Sequence, residues 1–316
     1  MAAEAARRVA WFLRERVPAH HGLYGVVWSV AGEAGSALAA GPAARWRPGV
    51  DTAVRASALT LTLVGMRMLD DVKDLAHDRV HEPDRPLVRG DVSTSELLSA
   101  AAGCGVAALA LARSLGPVSA RRLAVAQAYG IVLWPLDRAV RTHRRGQPSP
   151  VLDSALAYPT QVWGSLFLLE SAGETGAAPR SRRAFALVPV FASAFLQFEV
   201  ARKTRSTPPQ GAGDYSSVVP WQACAAAIVA LGEAAVWGSL AVSAPWKLSG
   251  PQRLVAWSPA ALSVLPPAVV LGMLRGTRSE PKAALSIALL LGLYLSLPTV
   301  AGMARNGTAP EVRRPQ

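Results

Sequence analysis

Residues 283–303 read AALSIALLLGLYLSLPTVAGM, without a single Asp, Glu, Lys or Arg. A bilayer core about 30 Å thick is crossed by about 20 apolar residues in a helix. Only a helix or a closed barrel satisfies its own backbone inside lipid. This stretch therefore predicts a membrane-spanning helix, and it sets the pattern for the rest of the chain. Working outward, comparable stretches rich in Ala, Leu and Val fall at 22–38, 54–69, 96–115, 123–136, 152–169, 185–200, 219–242 and 255–274. Short loops rich in Arg, Pro and Gly divide them. The fold class predicted is an all-α polytopic membrane protein, a bundle of about nine transmembrane helices.

The composition agrees. Of 316 residues, 51% are hydrophobic and only 17% are charged, which leaves no stretch for an extended soluble domain. The organisation read from the pattern has three parts. Residues 1–21 form an N-terminal interfacial helix or solvated tail, residues 22–303 one transmembrane domain, and residues 304–316 a disordered C-terminal tail. The first 21 residues carry Arg7, Arg8, Arg14 and Arg16 but lack the apolar region and cleavage site of a secretory signal. Val9, Trp11, Phe12 and Val17 can form the apolar face of a short helix lying on a membrane.

The net charge of +12 matches Arg-rich loops against anionic lipid heads, and no nucleic-acid motif accompanies it. Cys104 and Cys224 both fall in apolar spans, with neither disulfide nor metal spacing, and read as small core residues. The N-terminus and the even-numbered loops hold more Lys and Arg than the odd-numbered ones. This favours a multi-pass protein of the cell membrane with a cytoplasmic N-terminus. The loops after the second and sixth spans share one membrane side whichever way the chain inserts. The sequence leaves oligomeric state unknown.

The chemistry gathers at that side. After the second span the chain reads Arg67-Met-Leu-Asp70-Asp71-Val-Lys73-Asp74-Leu-Ala-His77-Asp78-Arg79, and continues to Pro83-Asp-Arg85-Pro86-Leu-Val-Arg89-Gly90. Asp71, Asp74 and Asp78 are spaced i, i+3 and i+7, on one face of a helix. Stacked carboxylates repel unless a cation neutralises them. Magnesium takes oxygen ligands, commonly one or two carboxylates together with substrate phosphates. Lys73, Arg79, Arg85 and Arg89 are candidate contacts for further phosphate oxygens. The competing reading is a solvated helix end laced with ion pairs. Ionisable groups near membrane depth favour the functional reading.

A second candidate follows the sixth span: Phe198-Glu199-Val-Ala-Arg202-Lys203-Thr-Arg205, then Asp214-Tyr215-Ser216. Glu199 reads either as a metal ligand, with Arg202 or Lys203 on phosphate, or as the partner of Lys203 in an i,i+4 ion pair. Glu33, Glu170 and Glu233 lie within apolar stretches. Glu33 reads equally as an interhelical hydrogen-bond partner or as a functional group.

Together these segments resemble the UbiA superfamily of intramembrane prenyltransferases, which includes terpene cyclases. The family's first signature is Asn-Asp-x-x-Asp-x-x-x-Asp at the end of the second helix. Here Asp70-Asp71-x-x-Asp74-x-x-x-Asp78 stands in its place, with Asp for the leading Asn. Pro83-x-Arg85-Pro86-x-x-x-Gly90 matches the turn that follows it in the family. The resemblance implies a nine-helix bundle and a diphosphate site facing the cytoplasm. It implies that Asp71, Asp74, Asp78 and Glu199 are the metal-binding and catalytic carboxylates for Mg2+. Asp70, Lys73, Arg79, Arg85, Arg89, Arg202, Lys203 and Asp214 would be the substrate contacts. The family's second signature, Asp-x-x-x-Asp, is altered here to Glu199-x-x-x-Lys203. Trp134-Pro-Leu-Asp137-Arg138-Ala-Val-Arg141-Thr142 is faintly similar to a third family stretch.

The expected activity is ionisation of an isoprenyl diphosphate and transfer of the prenyl group to a small, aromatic-type acceptor. The alternatives are cyclisation of the prenyl chain without an acceptor, and a non-enzymatic transporter. Phe195, Phe198, Trp134 and Trp163 are candidate aromatic faces toward a cation, or core and interfacial packing. Tyr215 and Ser216 are candidate entrance residues.

Overall fold

The computed structural model describes residues 2–17, 19–41, 43–143, 149–208 and 213–306, with the backbone alone at 2, 19–21, 141–143 and 304–306. Every regular element among them is helical. The order is α1 (Ala2–Arg16), α2 (Ala19–Ala40), α3 (Val50–Lys73), α4 (Leu75–His81), α5 (Pro86–Arg89), α6 (Thr94–Leu115) and α7 (Pro117–His143). There follow α8 (Pro150–Thr175), α9 (Leu187–Arg202), α10 (Trp221–Ser243), α11 (Gly250–Ala256), α12 (Leu265–Leu274) and α13 (Ala283–Asn306).

Among the described residues, five segments are long and apolar enough to cross a membrane: 94–115, 182–202, 221–247, 250–274 and 283–303. The other four expected spans coincide with α2, α3, α7 and α8, which have 22 to 27 residues each. Polar residues dilute the signal, and within α2, α3 and α8 a set of them turns inward. Glu33, Thr52, Arg55, Thr62, Gln161, Ser165 and Ser171 are all buried. Composition thus supports five crossings, and the expected nine rests on helix length for the remainder. The fourth span, short in the sequence, is a 27-residue helix that runs through Pro135. The eighth is broken, as Pro259, Pro266 and Pro267 suggest. A 3-10 turn over Ser258–Val264 joins α11 to α12. Residues 307–316, most of the expected C-terminal tail, lie outside the described residues.

Helices pack so that the ends carrying the two acidic segments fall together. Gly25 and Glu33 of α2 meet Thr60 and Arg55 of α3, in antiparallel order. Arg122, early in α7, meets Glu170, late in α8. Gln197, late in α9, donates to Ser286, early in α13, at 3.1 Å. The principal core runs through α2, α3, α6, α7, α8, α9, α10 and α13, with Trp28, Phe167, Phe191 and Tyr294 among its fully buried side chains. Gly164 is what lets α8 approach α2, since a Cβ there would lie 2.6 Å from the Trp28 ring.

The N-terminal helix docks on the protein. Phe12 is fully buried among Met68, Val72, Leu87, Val92, Leu97 and Ala101. That cluster binds α1 to the corner between α3 and α6. Trp11, by contrast, is 40% exposed, and the Arg89 guanidinium lies 5.3 Å from its ring centroid. The start of α6 is fixed by a capping box: Glu96 N donates to Ser93 Oγ at 3.2 Å, and Ser93 N donates to the Glu96 carboxylate at 2.9 Å.

Candidate diphosphate site

The helix of the second span bends where the acidic segment begins. Asp74 takes φ −87° and ψ 2° and separates α3 from α4. The hydrogen-bond ladder still crosses the bend, from Asp74 N to Asp70 O and from Asp78 N to Asp74 O, each 2.9 Å. The four aspartates therefore keep helical spacing, but they meet different surroundings. Asp70 and Asp74 are open to solvent to 52% and 33%, while Asp71 and Asp78 are each 3% exposed. Asp71 is buried because α1 lies over it through Arg16.

Asp71 is held by two arginines. Arg16 of α1 donates from Nε to Oδ2 at 2.7 Å and from Nη2 to Oδ1 at 3.1 Å. Arg67, one turn earlier in α3, reaches Oδ1 from Nη2 at 3.0 Å. The carboxylate holds the Arg16 guanidinium further above its ordinary pKa, by hydrogen bonding first and then by charge. Asp78 pairs with Arg85, which the Pro86-led helix α5 places opposite it. Gly90 ends that helix at φ +82°, a conformation that suits glycine and accounts for the last residue of the turn motif. Lys73 lies 3.3 Å from Asp70 and 4.0 Å from Asp74, with Asp137 of α7 also in electrostatic range. The third segment thus shares this end of the bundle through Asp137. The side chains of Arg141 and Thr142 lie outside the described residues.

Two further cations predicted for substrate do other things. Arg89 donates to Asp91 and to the Asp84 carbonyl, both at 2.7 Å, and lies 3.5 Å from Glu15. It fastens α1 rather than facing the aspartates. Arg79 is exposed on α4.

At the end of α9, Glu199 pairs with Arg202 (2.7 and 2.9 Å) and with Lys203 (2.7 Å). This is the ion-pair geometry that the i,i+4 spacing suggests. Asp214 is buried, 3.6 Å from Arg205. Tyr215 N donates to the Lys203 carbonyl at 2.8 Å, which draws the Asp214–Ser216 segment back onto α9. The Tyr215 hydroxyl bonds to Ser154 at the start of α8, and burial pushes its pKa up.

Among the described residues, no three His, Cys, Asp or Glu side chains converge on one point as a metal cage would require. The donor chemistry nevertheless fits a hard cation and a polyphosphate. Asp78 Oδ1 is buried without a hydrogen-bond partner, as are Arg67 Nε and Arg85 Nε. An unpaired buried polar atom is costly. A cation on Asp78 Oδ1 and an anion on the two arginine N–H groups would relieve all three.

Sequence reasoning missed Arg16 and Arg67 as partners of Asp71. The i,i+4 spacing of Arg67 to Asp71 was available as a signal. Arg16 comes from 55 residues away, and no local pattern announces it. Also missed was an aromatic layer inside the bundle, where Tyr24 stacks near Trp28, Phe195 and Tyr294 (5.5, 6.1 and 6.0 Å). Gln161 donates to its hydroxyl at 2.8 Å. Of the four predicted aromatic faces, Phe195 belongs to this layer. Trp134 is 41% exposed, and Trp163 lies under Arg122.

No family sequence model and no curated protein sequence matches the chain. Solved structures do. A UbiA homolog from Aeropyrum pernix K1 superposes with a TM-score of 0.58 at 18% identity, over 89% of this chain and 96% of that one. A UbiA homolog from Archaeoglobus fulgidus bound to GPP and Mg2+ gives 0.60 at 12% identity, over 93% and 99%. A digeranylgeranylglyceryl phosphate synthase gives 0.63 at 13% identity, over 93% and 99%.

The chain has the UbiA fold. The similarity extends across nearly the whole of each partner. The helix packing of this chain puts the aspartates at the end of α3 and Glu199 at the end of α9 at the same end of the bundle.

Proposed function

We propose that this protein is a magnesium-dependent, UbiA-type intramembrane enzyme. It ionises an isoprenyl diphosphate and transfers the prenyl group to a small acceptor. The observation that carries the reading is the sequence Asp70-Asp71-x-x-Asp74-x-x-x-Asp78 at a helix end of a UbiA fold. A solved structure of that fold is bound to GPP and Mg2+.

Asp78, through its unpaired Oδ1, and the half-exposed Asp74 are the residues that would hold magnesium first. Asp71 retains room for one metal bond on Oδ2, which accepts only the Arg16 Nε–H. Bound there, the metal would neutralise charge on the departing diphosphate. The chain's own cations do complementary work. Arg67 and Arg85 offer buried N–H groups to phosphate oxygens, and Lys73 lies between Asp70 and Asp74 at the rim. The apolar interior takes the isoprenoid and excludes water from the allylic cation once the C–O bond breaks. The Tyr24, Phe195 and Tyr294 rings offer π faces to positive charge at the depth of that layer.

One observation keeps the cyclase alternative open. Lys203 stands where the family's second signature has a carboxylate, and it neutralises Glu199. Either reaction begins with departure of the diphosphate, so the altered motif permits both. The transporter reading is weaker, because the charged groups deep in the bundle, Glu33 and Arg55, are paired with each other. The test is release of inorganic diphosphate from geranyl, farnesyl and geranylgeranyl diphosphates by purified protein with magnesium, with and without aromatic acceptors. Release only with an acceptor supports the transferase, and release with a cyclic hydrocarbon product supports the cyclase.

A further inference from the structure

At the end of the bundle opposite the aspartates, two cavities adjoin. One, about 450 Å³, is lined by Arg45, Arg47 and Arg180 with Ala43, Ala44 and Gly173 among its walls. The other, about 550 Å³, is an apolar cleft between α2, α9, α10 and α13, lined by Ala37, Val190, Ala234, Gly238, Val242 and Ala301. Ala44 lines both, so the arginine cavity and the cleft adjoin there. Arg183 and Lys247 add two exposed cations at the cleft's rim.

The wall between them is built, not incidental. Trp46 packs on Ala37, Ala172 and Ala178, and its indole Nε1 donates to Glu33 at 2.8 Å. The Arg47 amide donates to the Ala177 carbonyl at 2.9 Å, tying the loop after α2 to the loop after α8. No carboxylate lines either cavity. Glu174, which is in electrostatic range of Arg180, is occupied in capping α7 through Val118 N, Ser119 N and Ser119 Oγ.

We propose that this is a binding site for an anionic phospholipid. The phosphate sits among Arg45, Arg47 and Arg180, and one acyl chain runs into the apolar cleft past Trp46. Basic pockets between helix ends at a membrane surface recognise phosphate headgroups. Arginine suits phosphate by its planar fork. The adjoining cleft supplies what a free phosphate does not need, an apolar surface next to the charge. The site is remote from the aspartates and independent of the activity proposed above.

The experiment is native mass spectrometry of the full chain in detergent, titrated with phosphatidylglycerol or with phosphatidylcholine of the same acyl chains. Wild type should retain one phosphatidylglycerol about tenfold more tightly than phosphatidylcholine. The double substitution R45Q/R180Q should erase that preference, and R45K/R180K should keep part of it. Ala241→Trp, at an exposed position of the cleft, should weaken both lipids. Glycerol phosphate should not displace the bound lipid. Equal retention of the two lipids, an unchanged preference in R45Q/R180Q, or displacement by glycerol phosphate would each overturn the proposal.

Discussion

Arg16 of the N-terminal helix grips Asp71 at the end of α3 with two hydrogen bonds, of 2.7 and 3.1 Å. Any metal on the remaining lone pair of Asp71 Oδ2 sits beside that guanidinium and is opposed by its positive charge. Arg16→Gln should therefore bind Mg2+ more tightly, by about tenfold given the strength of a charge-assisted pair. Displacement of Mn2+ by Mg2+, followed by electron paramagnetic resonance, measures this directly. Weaker binding in the variant would mean that Arg16 helps assemble the metal site instead.

Asp71 and Asp74 belong to one motif but differ in burial, so their substitutions should separate. Asp71→Ala leaves Arg16 and Arg67 facing each other and should lower stability by about 2 kcal/mol as well as remove activity. Asp74→Ala, at a half-exposed bend, should remove diphosphate release with little change in thermal midpoint. Thermal unfolding in detergent beside an activity assay resolves the two, and equal midpoints for both variants would contradict the burial argument.

Lys203 stands between two readings. If it contacts phosphate, Lys203→Ala should weaken diphosphate binding several-fold while leaving magnesium dependence intact. If it serves only as the partner of Glu199, at 2.7 Å, the variant should shift the melting midpoint alone. Inhibition by inorganic diphosphate, measured alongside melting, decides between them.

Deep in the bundle, Glu33 and Arg55 are both fully buried and paired, with Trp46, Thr52, Ser171 and Thr175 completing their hydrogen bonds. Breaking such a pair costs about 3–5 kcal/mol, whereas replacing both partners with apolar groups is often neutral. Arg55→Met alone should unfold the protein at markedly lower temperature, and the double variant E33L/R55M should recover most of the loss. Failure of the double variant to recover would point to a role for the pair beyond mutual neutralisation.

These residues also show where sequence reading succeeds and stops. The α13 stretch announces itself because residues 283–303 carry no Asp, Glu, Lys or Arg. Helices α2, α3, α7 and α8 announce themselves less clearly, because their polar residues satisfy one another across the core. The aspartate motif is legible because its spacing is local, and so is the Gly90 turn. The clamp of Arg16 on Asp71 is not legible, because it depends on where Phe12 docks α1, a contact between segments far apart in the chain. Glu33 is visible as an anomaly in an apolar span, but its partner, 22 residues away on the next helix, emerges only from the packing.

The most direct test of the central claim is release of inorganic diphosphate from prenyl diphosphates by purified protein, with magnesium and after its chelation. Acceptor should be both present and absent, with Asp74→Ala as control. The account predicts release that needs magnesium and Asp74. Release that survives chelation, or a wild type inert toward every donor and acceptor under conditions where the folded protein is stable, would contradict it.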